Sequence, residues 1–514
     1  MPNTFFGLTI GASGLTAGNA GINTVAHNVA NIKTKGYTKQ TVNQVAGYAI
    51  KVYKPYGAVG TGVEVKDIIQ SRDEYYDARY RANSSLQGQY ESLDLYSHLV
   101  QNYLDEFSLD GFITEYNNLY KTIDALTSEP SSDVKRGQFI GYMTSMCEYF
   151  NTLHTNLQNT QNDINTEIKA SVSTINRIAD SIASLNKQIN TIEATGGFAN
   201  ELRDSRNLML DELSTYVNIT TLEVPQANGI TDFTVFLGDA KLVDKYTFNQ
   251  LICVARETAG KRNASDAEGL YDLKWSDTQS TFDPYNSTIK GSLRGLFDIR
   301  DGCNNGFEKL VPDGNGGREL VTVSDAYKNT SYKGIPYYQS KLNEFMKVFA
   351  DNFNEILKKG QLADGTANTE ELLVSKYGDD YISAGNICVN EKIVKDRSKL
   401  PLSYDVSKGS QNADLYKDLY LLKDKRTISS GTFWDYLTSI VSEIGVDTSR
   451  TETFSKNYKN VVATIDNQRQ SVSGVDEDEE GIDLVKYQNA YNLAAKVIST
   501  MNEIYNKLIN ETGL

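Results

Sequence analysis

The chain has 514 residues, 39% hydrophobic and 23% charged, with a formal net charge of −15. At about 150 residues per domain this length allows two to four domains with real cores, and an acidic balance that no basic block offsets argues against a nucleic-acid-binding surface. No apolar run approaches the roughly 18 residues that span a bilayer, and the start carries none of the marks of a cleaved signal peptide, so the protein is expected either to be cytoplasmic or to leave by a route that reads no such peptide.

The first element is a helix of unusual make-up. In residues 7 to 40, GLTIGASGLTAGNAGINTVAHNVANIKTKGYTKQ, the apolar residues Leu8, Leu15, Ile22 and Val29 recur every seven positions. Gly7, Gly11, Gly14, Gly18 and Gly21 recur with the same helical spacing. Five interior glycines weaken a helix by roughly 4–5 kcal/mol relative to alanine, in a segment already near the marginal length for isolated helices. On a helical wheel the glycine line lies roughly 70° from the apolar line. The two form one broad face, half flat backbone and half short knobs, that lets another helix approach closely. The segment is expected to be poorly ordered alone and helical when crowded by the C-terminal helix and by other copies of itself.

Further along, GAVGTG at 57 to 62 lacks the Lys-Ser/Thr of a P-loop and has the wrong order for a dinucleotide fingerprint, which leaves a turn or β bend. Phe112, Tyr116, Leu119, Ile123 and Leu126 have helical spacing. So, over about 40 residues, do Leu153, Leu157, Ile164, Ile168, Val172, Ile175, Ile182, Leu185, Ile189 and Ile192. That rod of roughly 60 Å implies a coiled-coil-like bundle, and TGG at 195 to 197 ends it. From about Val217 to Asp325 the texture turns to short β-type runs, FTVFLG, LICVARE and LYDLKW, separated by the turn-formers DGCNNG and PDGNGG. Helical spacing returns at Tyr338, Leu342, Phe345, Phe349, Phe353 and Ile356. A chain that runs helix, β insert, helix is expected to bring its termini side by side.

The last element repeats Leu484, Tyr487, Tyr491, Ala494, Ile498, Met501, Tyr505 and Leu508 at steps of three and four. This predicts an amphipathic helix with one apolar face and a polar opposite face. The acidic run Asp476 to Glu480 before it fails as an EF-hand, because position 12 of the loop is Tyr487. It reads instead as first-turn charge complementing the helix dipole.

No constellation for chemistry emerges. Cys147, Cys253, Cys303 and Cys388 are far apart with no CxxC pair, so isolated thiols are expected rather than a disulfide framework or a zinc site. His27, His98 and His154 have no ligand spacing. Asp204 and Arg206 read as an ion-pair or capping network at a helix junction. Neither catalytic residues, metal ligands nor cofactors are expected.

The same residues carry a resemblance. VAHNVANIKTKGYTKQ resembles the N-terminal signature of the flagellar axial proteins (rod, hook and hook-associated proteins), with Asn28, Val29, Ala30, Asn31, Gly36 and Tyr37 at matching positions and His27 where that family usually has asparagine. The C-terminal SGVDEDEEGIDLVKYQNAYNLAAKVIST is similar to the paired terminal helix of its hook–filament junction members. DSRNLMLDELSTYVNIT, GSLRGLFDIRD and NICVNEKIVKDRSKL resemble their central segments. Departures are the basic KTKGYTKQ and the glycine at Gly481.

The resemblance implies a mainly α fold with a β-rich insert: paired N- and C-terminal coiled-coil helices, a long-helix bundle domain and an outer β domain. The implied division is 1–45 and 475–514 for the terminal domain, 46–215 and 335–474 for the bundle, and 216–334 for the outer domain. It implies a structural, non-enzymatic subunit of the hook–filament junction, exported through the flagellar secretion channel to the extracellular appendage. Its implied partners are copies of itself, the hook protein, a second junction protein and a cytosolic export chaperone, without nucleic acid or membrane insertion. On this reading Leu8, Gly11, Leu15, Gly18, Ile22 and Val29 form an assembly face. Leu484, Tyr487, Tyr491, Ala494, Ile498, Met501, Tyr505 and Leu508 serve assembly and the chaperone. The alternatives are a hook or rod axial protein, or a flagellum-displayed adhesin-like module.

Overall fold

Helices carry most of the chain, with bounds that follow the apolar periodicity. In the computed structural model, which describes residues 6–51, 57–106, 112–226, 229–314, 317–324, 331–379, 381–429 and 431–510, they are α1 (Phe6–Asn31), α2 (Glu74–Glu106), α3 (Phe112–Ser128), α4 (Asp133–Glu193), α5 (Asn200–Tyr216), α6 (Ser292–Asp301), α7 (Ile335–Lys358), α8 (Glu391–Lys395), α9 (Asp414–Leu421), α10 (Phe433–Ser473) and α11 (Glu477–Asn510). The rod read from residue 153 onward is part of a longer helix, α4, of 61 residues. Its extra N-terminal turns continue the same buried face through Phe139, Met143, Met146 and Phe150. It stops where Gly196 takes φ +88 and its N–H bonds to the Glu193 carbonyl, a left-handed ending that glycine reaches without steric cost. The PDGNGG turn is described only in part, because residues 315–316 lie outside the described residues, as do 325–330.

Two compact units divide the chain. The first comprises 1–84, 176–249 and 458–514. It holds α1, α11 and α5, the antiparallel pair β1 (Gln40–Ala46) and β4 (Val63–Gln70), the short hairpin β2 (Ile50–Lys51) and β3 (Ala58–Val59), and a four-stranded antiparallel meander. The meander strands are β5 (Ile219–Pro225), β6 (Thr231–Leu237), β7 (Ala240–Asp244) and β8 (Thr247–Phe248). The strands at 40–70 correct the expectation of a helical bundle beginning at residue 46. Within GAVGTG, Gly57 and Gly62 take φ +68 and +107, which only glycine adopts readily. Val235, Leu237, Leu242 and Val243 of the meander are fully buried, as are Ile178, Ile182 and Leu213 on the helices. Asn190 fixes the meander by accepting from the Thr231 N–H and donating to its carbonyl, at 3.0 and 2.8 Å.

The second unit comprises 85–175 and 250–457. Its core is aromatic, with Phe345 stacked on Phe150 and Phe349, and Phe433 edge-on to both Phe345 and Phe349. Strands β9 (Leu251–Ala255), β10 (Tyr271–Trp275) and β11 (Thr281–Phe282) form one sheet, and β12 (Phe307–Pro312) pairs with β13 (Arg318–Val323). A last pair joins β14 (Leu373–Ser375) to β15 (Ile387–Val389). The segment 216–334, expected as one outer body, is thus shared between the two units.

Candidate assembly site: the paired chain ends

The five-glycine line of α1 is a seat for α11. The helices run antiparallel, and each glycine faces one apolar residue of the C-terminal stripe: Gly7 faces Met501, Gly11 Ile498, Gly14 Ala494, Gly18 Tyr491 and Gly21 Tyr487. A Cβ at Gly7 or Gly11 would stand 2.7 Å from Met501 or Ile498, and one at Gly21 would overlap the Tyr487 ring. Helix propensity is given up so that the two backbones can close. Gly11, Ala17, Gly18, Gly21, Thr24, Val25 and Asn28 are buried on α1, and Tyr505 on α11.

The two halves of the broad N-terminal face part company here. Leu8, Leu15 and Ile22 are only half-buried at the flank of the pair, and Val29 is 42% exposed. On α11, Tyr487, Ala494, Ile498 and Met501 are half-buried, while Leu484, Tyr491 and Leu508 are exposed. The expectation that the other side of α11 is polar is corrected. Ile482, Val485, Leu493, Val497 and Ile504 form a second stripe, each at least 44% exposed.

At the base of the pair the signature residues form one knot. Asn28, 1% exposed, donates through Nδ2 to the Gln40 carbonyl at 2.9 Å and to Glu480 Oε2 at 3.0 Å. Its Oδ1 accepts from the Tyr37 hydroxyl at 2.7 Å and the Gln40 N–H at 3.0 Å. Asn31 caps the end of α1, donating to the His27 carbonyl and accepting from the Thr34 hydroxyl. Gly36 turns the chain at φ +82. His27 lies edge-on to Tyr37, with Nε2 3.3 Å from Glu201. Beyond the turn, Thr38 donates through N and Oγ1 to Asp204, and the Lys39 N–H reaches the Ser473 carbonyl. Lys39 Nζ lies 2.8 Å from Glu479 and 3.4 Å from Glu480. Asp476 Oδ1 accepts the N–H groups of Asp478 and Glu479, capping α11.

The electrostatics favour a closed knot. Burial, then the carboxylates of Asp204, Glu201 and Glu480, push the Tyr37 phenol well above its usual range, so it stays a donor. Burial works against the Lys39 charge, but Glu479 and Glu480 outweigh it and hold its pKa up. Asp204 moves upward by burial, opposed by the Thr38 bonds and Arg72. The basic KTKGYTKQ and the acidic run are therefore partners. Both runs are visible in the sequence, but their pairing is not, since more than 400 residues separate Lys39 from Glu479.

Hairpin β1/β4 braces α1. The Val63 N–H donates to Ser13 Oγ at 3.2 Å, and Gln44 donates to the Ala17 carbonyl. A cleft of about 810 Å³ in the same unit is lined by Arg72, Arg81, Arg203 and Arg206. Each is already ion-paired, to Asp77, Asp211, Glu193 and Glu223 respectively. Asp204 and Arg206 thus belong to a network, though not to each other. Elsewhere the four cysteines are free, and among the described residues neither a metal-binding group nor a helix long and apolar enough to cross a membrane occurs.

Residues 98–371 match the flagellar hook-associated protein FlgK helical domain, more than half of the chain. The chain belongs to the FlgK family. Residues 466–511, which contain α11, also match the flagellar basal body rod FlgEFG protein C-terminal family. Flagellar hook-associated protein 1 of Bacillus subtilis is 25% identical, with 100% of this chain and 99% of that protein covered. The Escherichia coli protein of the same name is 26% identical over 97% and 98%. The structure of the flagellar hook junction protein FlgK from Burkholderia pseudomallei shares the fold, with a TM-score of 0.58 at 13% identity, covering 77% of this chain and 100% of that one. In this family member the glycine seat runs along one helix pair and the knot closes its base. Such a chain is a structural component of the flagellum, associated with its hook.

Proposed function

We propose that this structural protein of the hook–filament junction joins its neighbours through the outer faces of the α1/α11 pair. The pair occupies the inner tube of the flagellum, and the segments 46–215, 216–334 and 335–474 lie outside that tube. The observation that carries this reading is the division of apolar surface at the chain ends. One stripe of α11 is spent on the glycine seat, while a second stripe and Val29 remain exposed. Helices rich in interior glycine gain order chiefly by packing, so neighbours that cover these faces lock the subunit only where subunits stack.

On this reading the protein acts through interfaces rather than by catalysis. Its partners are other copies of itself, the hook protein below and the second junction protein above. A cytosolic chaperone covers α11 before export, because a bare stripe of Ile482, Val485, Leu493 and Val497 invites aggregation. Export runs through the flagellar secretion channel with no cleaved peptide, leaving the protein on the extracellular appendage.

The test is to place Ile22→Asp or Val497→Asp in cells as the sole copy. The expected picture is normal secretion of the variant, hooks without filaments, and filament protein lost to the medium. Filaments of ordinary number and length would contradict the reading.

A further inference from the structure

The half-buried α1 line and the exposed second stripe of α11 are not equivalent. At 100° per residue the Leu8/Leu15/Ile22/Val29 line stands roughly 70° from the glycine seat, and the Ile482/Val485/Leu493/Val497/Ile504 line about 125° from the stripe that fills it. Because the helices are antiparallel, these rotations carry the two lines to opposite sides of the plane through both axes. Each line also ends in charge of one sign. Residues 1 to 63 contain no aspartate or glutamate and five lysines, in a chain of net charge −15. Lys33 and Lys35 follow Ile32 where α1 ends, all three exposed, and among the described residues neither lysine has an ion pair. Glu477 and Asp478 stand in the first turn of α11, at the height where the second stripe begins, likewise exposed and without a cation partner among the described residues. Gly481 leaves an open notch there, lined by Glu477, Asp478, Ile482 and Val485. Nothing lies within 4 Å of the position its Cβ would take.

We propose, resting on the assembly reading above, that the α1 stripe of one copy packs on the second stripe of α11 in the next copy, with the Ile32–Lys33–Lys35 corner seated at the Gly481 notch. The occupant is a second copy of this chain because the two surfaces complement each other in charge as well as in apolar length. The Asn28–Glu480 and Lys39–Glu479 bonds hold the basic corner and the acidic turn at one height. Copies standing side by side at equal height therefore place one corner against the next notch. The contact is head-to-tail and self-propagating, as rings and helical stacks require. The aliphatic stems of lysine suit a floor of Ile482 and Val485 under an acidic rim. Axial register is set by charge and adhesion by the stripes.

The experiment counts full-length subunits retained on isolated hooks per subunit secreted, with each variant as the sole copy. Lys33→Glu with Lys35→Glu, and separately Glu477→Lys with Asp478→Lys, are each expected to lower retention about tenfold. All four together are expected to restore it to within about threefold. Ordinary retention of either reversed pair, or no recovery on combining them, overturns the proposal. Gly481→Leu places its Cβ where nothing lies within 4 Å and extends a side chain into the notch, so it is expected to be shed; retention at the ordinary level also overturns the proposal. Ile22→Asp separates the two readings. If it is shed while the charge variants are retained, only this register is wrong; if it too is retained, the assembly reading itself fails.

Discussion

A methyl group on Gly11 would stand 2.7 Å from Ile498, and one on Gly21 would overlap the Tyr487 ring, whereas Gly481 faces open space. Alanine should therefore act with opposite sign at these glycines. Gly11→Ala or Gly21→Ala is expected to weaken the pair by about 1–3 kcal/mol through overpacking. Gly481→Ala should stabilise α11 by up to about 1 kcal/mol. Amide exchange across α1 and α11 reads both, and protection lost at Gly481→Ala would contradict the assignment. Asn28 offers a second test. Asn28→Ala removes one donor from buried Glu480, leaving it Lys39 alone, and is expected to cost about 2–3 kcal/mol. Asn28→Asp should be worse, since it sets a carboxylate against Glu480, and Glu480→Gln should relieve it. A third concerns His154, which burial, then Lys261, push down to about 4. The unfolded chain binds that proton near the ordinary histidine value while the folded chain does not. Stability is therefore expected to fall by about 3 kcal/mol as pH drops from 6.5 to 4. His154→Gln should flatten that part of the profile in thermal melts; an unchanged slope would place the titration elsewhere.

At the scale of elements, α1 depends on its partner. A peptide of residues 6–31 is expected to be largely unordered by circular dichroism and to gain helix on adding residues 477–510; a stable helix alone would count against conditional folding. This dependence is also why the elements were unevenly legible. Long amphipathic stretches such as α7, α11 and the second half of α4 announce themselves because their burial repeats every three or four residues. The first turns of α4 carry the same three- and four-residue steps at Phe139, Met143, Met146 and Phe150, so the rod is legible from there and not only from residue 153. The strands at 40–70 are hard to read from period-two alternation because β1 alternates weakly, with Thr41, Val45 and Ala46 exposed and Gln44 half-buried. At the site, the glycine line and the signature asparagine were visible in the sequence. Glu201, Asp204 and Glu480 were not legible as partners of that signature. Nothing in their local spacing points across more than 150 residues of chain.

For the whole molecule, the proposed assembly makes the ends the joint and the remainder the body that the joint carries. A pair closed by the glycine seat and the knot, with apolar lines left on both sides, is suited to stacking rather than to holding a ligand. Raising the salt concentration during reassembly on hooks should slow association, because the basic corner and acidic turn are solvent-exposed charges. The apolar lines should be little affected. The most direct measurement removes residues 1–31 and 477–514 together, confirms by circular dichroism that the remaining body stays helical, and supplies it to hooks that lack this protein. The expected result is a folded body that does not bind the hooks and supports no filament. A body that takes its place there and lets filaments grow would contradict the account.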